Sequence, residues 1–173
     1  MQDHQYSFEV DASREDIWAV FWGKKTGDVM EHGNLRIEIL HGGDKHGEGL
    51  IRHCHFPVPW YLLSGGRAQS WEWLTQVKVH DSWRYDAVGK PLWSKATGWT
   101  RLEPLEDNRT RIHFRETYHV FNPVMRFFLE KIVHKAISKD NDQKIKAGIE
   151  QGLKARANEL AKKAQEKSQV ASV

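Results

Sequence analysis

The stretch from Arg111 to Val120 constrains the fold most. Ile112, Phe114, Glu116, Tyr118 and Val120 alternate with Arg111, His113, Arg115, Thr117 and His119, the period-two pattern of a strand with one buried face. A one-residue slip would bury a row of charge, so the pattern sets both register and inward face. Asn122-Pro123 follows as a helix cap with proline at the first helical position. From residue 124 to about 165 the chain favours helix, with a kink or break expected at Ser138–Asp142, where weak helix formers gather. Ile145, Ile149, Gly152, Leu153 and Leu160 carry an apolar stripe through its second half. A sheet with one apolar face must bury it, and this helix is the only element large enough to cover it.

The rest of the chain supplies that sheet. Tyr6, Phe8 and Val10 alternate with Ser7 and Glu9 in a first strand. Ser13, with Asp16 three residues on, has the pattern of a capping box, and Ile17, Val20 and Phe21 then share a helical face. Gly23 and Gly27 end this helix or divide it into two short pieces. Further strands are expected at 35–40, 50–56, 68–80, 83–89 and 96–102, with Trp71, Trp73, Val77 and Val79 sharing one face. The link after Pro57 is long and aromatic. The expected fold is α+β: a curved, seven-stranded antiparallel sheet wrapped round a long C-terminal helix, with two short helices after the first strand. One domain is expected over residues 5–165, with 166–173 a frayed tail.

A chain of 173 residues fits one domain and buries roughly 70% of its unfolded surface, enough for a core without disulfides. Cys54 is the only cysteine, so no internal disulfide forms. The first residues lack a basic segment followed by an apolar run, and no stretch approaches a membrane span; a cytoplasmic location is expected. Eight Trp, seven Phe and four Tyr suggest a core or pocket with wide gaps to fill. From Val124 onward eleven Lys/Arg face six acids, giving +5 there and −2 elsewhere. A solvated helical face is the expected meaning; no nucleic-acid partner is expected, and membrane contact is expected to be peripheral at most.

These motifs in this order resemble the helix-grip superfamily, also called SRPBCC or START-like, which includes the birch pollen allergen, START lipid-transfer domains and polyketide cyclases. The opening YSFEVDASREDIWAVF looks like its first strand and helix start. WLTQVKVHDSWRYDAVG looks like its paired middle strands, GWTRLEPLEDNRTRIHFRETYHV like its final hairpin, and NDQKIKAGIEQGLKARANEL like the end of its long helix. The resemblance implies a deep cavity between sheet and helix that takes lipids, sterols, polyketides or other apolar molecules. The aromatic link after Pro57 departs from that pattern, and no motif points to one branch of the superfamily.

Glu116 is the most informative candidate for chemistry, an inward carboxylate among apolar and aromatic neighbours. Unpaired burial would raise its pKa and make it an acid or base, or a hydrogen-bond acceptor for a ligand; otherwise it pairs with an inward Arg or Tyr, Arg52 and Arg101 being possible partners, or points to a wet cavity mouth. Tyr118 is the second catalytic candidate. Trp71, Trp73, Trp83, Tyr85, Trp99, Phe114, Arg52 and Ile149 are candidate ligand-binding residues, aromatic walls with a few polar groups. His53 and His55 could hold zinc only with a third ligand, which no spacing supplies, so neither metal nor cofactor is expected. Cys54 reads as a small core residue. The apolar excess of 124–137 reads as core, a gate, a homodimer contact or a shallow membrane contact helped by Arg126, Lys131 and Lys135. Gly148 and Gly152 are expected to allow close sheet approach or to enlarge the cavity. The leading reading is binding or carriage of an apolar small molecule. The alternatives are a polyketide cyclase/dehydratase-type enzyme using Glu116, with Tyr118 or Tyr85 polarising a carbonyl, and an interaction module using the basic helix.

Overall fold

The computed structural model describes all residues except 33–34, 59, 61–63, 91 and 171–173, with the side chains of 32, 90, 136–137, 139–142, 144, 163 and 166–170 also outside the description. The element order is β1 (Gln2–Val10), α1 (Arg14–Phe21), β2 (Val29–His32), β3 (Leu35–His41), β4 (Ile51–Pro57), β5 (Arg67–Lys78), β6 (Ser82–Lys90), β7 (Ser94–Pro104), β8 (Thr110–Val120) and α2 (Pro123–Val170). The strands form one antiparallel sheet in the order β1-β8-β7-β6-β5-β4-β3-β2. β2 to β8 form a meander, and β1 returns to pair with β8. Helix α2 packs chiefly on β8, β1 and α1. None of the described helices is long and apolar enough to cross a membrane.

Two features of the element order differ from the sequence expectation. The sheet has eight strands, and one helix, not two, follows β1. Helix α1 starts as expected, with the Asp16 N–H donating to Ser13 Oγ at 3.1 Å. It ends at Trp22, after which Gly23 turns left-handed at φ +83°. Asp28 then accepts from the Lys25 N–H at 2.7 Å, closing a turn instead of a second helix. That turn delivers Val29–His32 to β3, with Met30 opposite Ile37. At the other end of the chain, helix continues through Ser138–Asp142, without the expected break. Leu160 is exposed, outside the buried stripe that Ile149 joins. Gly152 serves helix–helix contact, not sheet approach: a Cβ there would meet Val20 Cγ1 of α1 at 2.5 Å. Gly148 faces open space, since a Cβ there would meet nothing within 4 Å.

The register defines the concave face. Ile112, Phe114, Glu116, Tyr118 and Val120 point inward as expected, opposite Leu102, Thr100, Gly98, Ala96 and Ser94 of β7. On β5, however, the inward residues are Ala68, Ser70, Glu72 and Leu74, so Trp71 and Trp73 lie on the convex face. The cause is a bulge between Thr75 and Lys78, where Gln76 adopts φ +54° and Glu48 accepts from the N–H groups of Gln76 and Val77. The extra residue reverses the alternation, so Val77 packs on the core although Trp73, four residues earlier, does not.

Two apolar clusters lie on the concave side. The larger joins α1 and the adjacent sheet end through Ile17, Trp18, Trp22, Trp83, Leu102 and Ile112, with Ile149 of α2. Trp18 and Trp22 stack at 4.8 Å, and each meets Trp83 edge-on at 5.7 Å. The smaller lies at the opposite end, with Val58, Ala68, Tyr118, Val120 and Val133.

Candidate ligand site on the concave face

Between the two clusters a polar belt crosses the concave face. In one rung of the sheet, Tyr85 pairs with Gly98, Gly98 with Glu116, and Glu116 with His4. In the next, Arg52 pairs with Glu72. Arg52 Nη2 lies 2.7 Å from Glu72 Oε2, and Arg52 Nε donates to the same oxygen at 2.8 Å. Ser70 Oγ donates to Glu72 Oε1 at 2.7 Å, so both carboxylate oxygens are engaged. The Arg52 guanidinium also sits 6.0 Å from the Tyr85 ring centroid, at the outer reach of a cation–π contact. Glycine at 98 makes room for this ring, since a Cβ there would meet Tyr85 Cε1 at 2.0 Å. The Glu116 carboxylate lies close enough to the Tyr85 hydroxyl to act on it electrostatically.

The electrostatics follow from burial and pairing. Burial works against the Arg52 charge, yet the Glu72 carboxylate outweighs it and holds the guanidinium protonated. Burial pushes the Tyr85 hydroxyl well above the usual phenol range, and the Glu116 and Glu72 charges add to the shift. Tyr85 therefore remains a proton-bearing donor at neutral pH. Cys54 shares this face and is buried; burial first, and then the Glu72 charge, push its thiol up. A thiol held protonated is a poor nucleophile, in keeping with a core role.

The belt is not sealed. The Arg52 and Glu72 side chains keep 23% and 13% of their exposure although both point to the concave side. Tyr85, Phe114 and Glu116 are also only half-buried. Solvent therefore reaches the belt. Phe114 borders it, stacked on Tyr6 at 4.9 Å and Phe8 at 5.8 Å. Tyr118 lies one rung toward the smaller cluster, buried, with its ring centroid 6.0 Å from that of His134. Burial raises its hydroxyl, tempered by the nearby Ser94 hydroxyl, and its oxygen has no hydrogen-bond partner within 3.5 Å among the described residues.

The structure thus brings Arg52, Tyr85, Glu116, Phe114 and Tyr118 together on one face. Trp83 and Ile149 are buried within the larger cluster, at the end of that face. Trp71, Trp73 and Trp99 stand on the other side of the sheet. Trp71 stacks on His53 at 4.5 Å, with His55 beside it, and Trp99 lies between the guanidinium groups of Arg84 and Arg115 at 5.6 and 5.4 Å. Arg101, a possible partner of Glu116, is exposed on the convex side; Tyr85 takes that place. Glu72 and Ser70 were missed because the alternation of Trp71 and Trp73 directs them outward when the bulge is not foreseen.

No family model and no curated protein matches the chain by sequence. Solved structures do. The Zhui aromatase/cyclase from Streptomyces sp. R1128 is similar at TM-score 0.63 and 11% identity, over 87% of this chain and 93% of that one. Ara h 8.0201 is similar at TM-score 0.57 and 16% identity, over 89% and 99%. A START superfamily protein from Mycobacterium smegmatis is similar at 0.53 and 12%, over 91% and 98%. The chain has the START-like helix-grip fold. In helix-grip terms, the polar belt lies across the middle of the grip and α2 is the gripped helix. These identities establish the fold and not the ligand.

Proposed function

We propose that the protein binds an apolar small molecule, lipid, aromatic or polyketide-like, between the concave face and α2. The observation that carries this reading is the incompletely buried belt of Arg52, Glu72, Tyr85 and Glu116 between two apolar clusters. Apolar walls supply affinity and a few convergent polar groups orient the ligand. The ligand's apolar body would lie along Phe114, Tyr6 and Phe8, and a hydroxyl or keto group would meet Tyr85 and Glu116. Native mass spectrometry of the purified chain tests this: a co-purifying small molecule, lost in Tyr85→Phe/Glu116→Gln, is expected. A chain that is always empty and takes up no apolar dye would overturn it.

A second reading, cyclase- or dehydratase-type catalysis, draws on the Tyr85–Glu116 contact. A carboxylate beside a phenol that stays protonated pairs a candidate base with a candidate donor. Glu116→Gln separates the two readings, because a carrier keeps most of its binding while an enzyme loses turnover.

A further inference from the structure

Three segments meet at the sheet end opposite α1. The register places Pro57 beside Arg67, Gln69 beside Lys90, and Gly89 and Val120 on either side of Ser94. The β4–β5 link, the β6–β7 link and the start of α2 therefore emerge together. Val58, Leu92, Val120, Leu129 and Val133 tie them into one small core, and the Phe121 N–H donates to the Trp93 carbonyl at 3.0 Å.

Large rings stand out from that core. Trp60 is 81% exposed, Phe127 82% and Phe128 65%, with Trp93, Phe121, Val124, Met125 and Ile132 also exposed. On α2, Val124, Phe127, Phe128, Lys131 and Lys135 face away from the sheet while Glu130 and Val133 face it. Large exposed apolar side chains gathered at one end mark an interaction surface.

Its charge selects the partner. Residues 57–67, 90–96 and 121–135 contain one acid, Glu130, and that acid is only 2% exposed. It is turned inward and accepts from the Val120 N–H at 2.8 Å. Arg67, Lys95, Lys131 and Lys135 are exposed. The surface is therefore apolar at its tips and basic at its flanks; the exposed carboxylate of Asp3, which lines the hollow beside Lys131 and Lys135, is engaged by Arg115 at 2.7 Å. Tryptophan and phenylalanine tips flanked by lysine suit the headgroup region of an anionic bilayer, where indole rings settle and lysines meet phosphate.

We infer that this end of the molecule docks on anionic phospholipid surfaces, with Trp60, Trp93, Phe127 and Phe128 as the inserting tips. The inference is independent of what fills the concave site. Co-sedimentation of the full chain with phosphatidylcholine vesicles, with and without phosphatidylserine, tests it. Binding is expected to phosphatidylserine vesicles and to weaken with salt. It is expected to fall roughly tenfold or more in Phe127→Ser/Phe128→Ser and, separately, in Lys131→Glu/Lys135→Glu. These side chains are exposed, and circular dichroism identifies folded variants; the lysine pair keeps the test open if the phenylalanine pair does not fold. No binding to phosphatidylserine vesicles, binding unchanged in folded variants, or a dimer dispersed by the phenylalanine pair without vesicle binding would overturn the inference.

Discussion

The Tyr85 ring lies over the α-carbon of Gly98, so close that a methyl group at 98 would overlap the ring at Cε1 and approach the hydroxyl to 2.7 Å. Glu116, whose charge acts on that hydroxyl, is the strand neighbour of Gly98. Gly98→Ala therefore forces the ring off its position. The expected cost is about 1–3 kcal/mol of stability, as for other overpacked sites. Uptake of an apolar dye is expected to fall to the level of Tyr85→Phe. Urea denaturation together with dye titration reads both effects; full stability with full uptake would show that the ring is not fixed by this contact.

Arg52 and Glu72 form an ion pair that is mostly withdrawn from water. Removing one partner leaves an uncompensated charge, whereas removing both leaves none. Glu72→Leu is expected to cost about 2–4 kcal/mol, with Arg52→Met similar, while Arg52→Met/Glu72→Leu costs less than either single change. Chemical denaturation of the four proteins closes the cycle. A double variant as weak as the sum of the singles would mean that the two charges do not act as a pair.

Glu130 gives the acid side of the stability curve a specific component. Burial would raise its pKa, but the Val120 N–H and the other donors around it hold it below its ordinary 4.5. Above pH 4.5 the carboxylate is ionised in both folded and unfolded chains, and its contribution is fully present. As pH falls below that value the unfolded chain takes up the proton first, and the contribution is lost by the time pH passes the folded pKa. Glu130→Gln is expected to lose about 1–2 kcal/mol near neutral pH and to have a shallower acid limb. Asp3, Glu9, Asp44 and Glu103 are also lowered and retain their share of that limb. Thermal melts from pH 3 to 7 compare the two.

Much of the architecture could be read from local patterns, because β8 and the Asn122-Pro123 helix start each carry a strong periodic or capping signal. The capping pair Ser13 and Asp16 was legible for the same reason. What could not be read was long-range. The bulge at Gln76 depends on Glu48, twenty-eight residues away, and it decides which face of β5 is buried. Without it, Trp71 and Trp73 look like pocket walls and Glu72 looks solvated. Glu116 was found because β8 is unbroken. Its partner Tyr85 was a candidate in its own right, but only the register through Gly98 joins the two.

The two faces of the sheet make opposite predictions for two aromatic candidates. Phe114 is packed between Tyr6 and the polar belt on the concave side. Phe114→Ala removes part of the proposed ligand wall and is expected to cost about 2–3 kcal/mol, below the full core value because the ring is only half-buried. Dye affinity is expected to fall with it. Trp99 instead spreads over the convex surface between Arg84 and Arg115, where such contacts contribute about 1 kcal/mol. Trp99→Ala should lose no more than that and leave dye affinity unchanged. Fluorescence titration of both variants with an apolar dye distinguishes the faces. Loss of affinity in Trp99→Ala with retention in Phe114→Ala would place the binding surface on the convex side and end the proposal of a concave site.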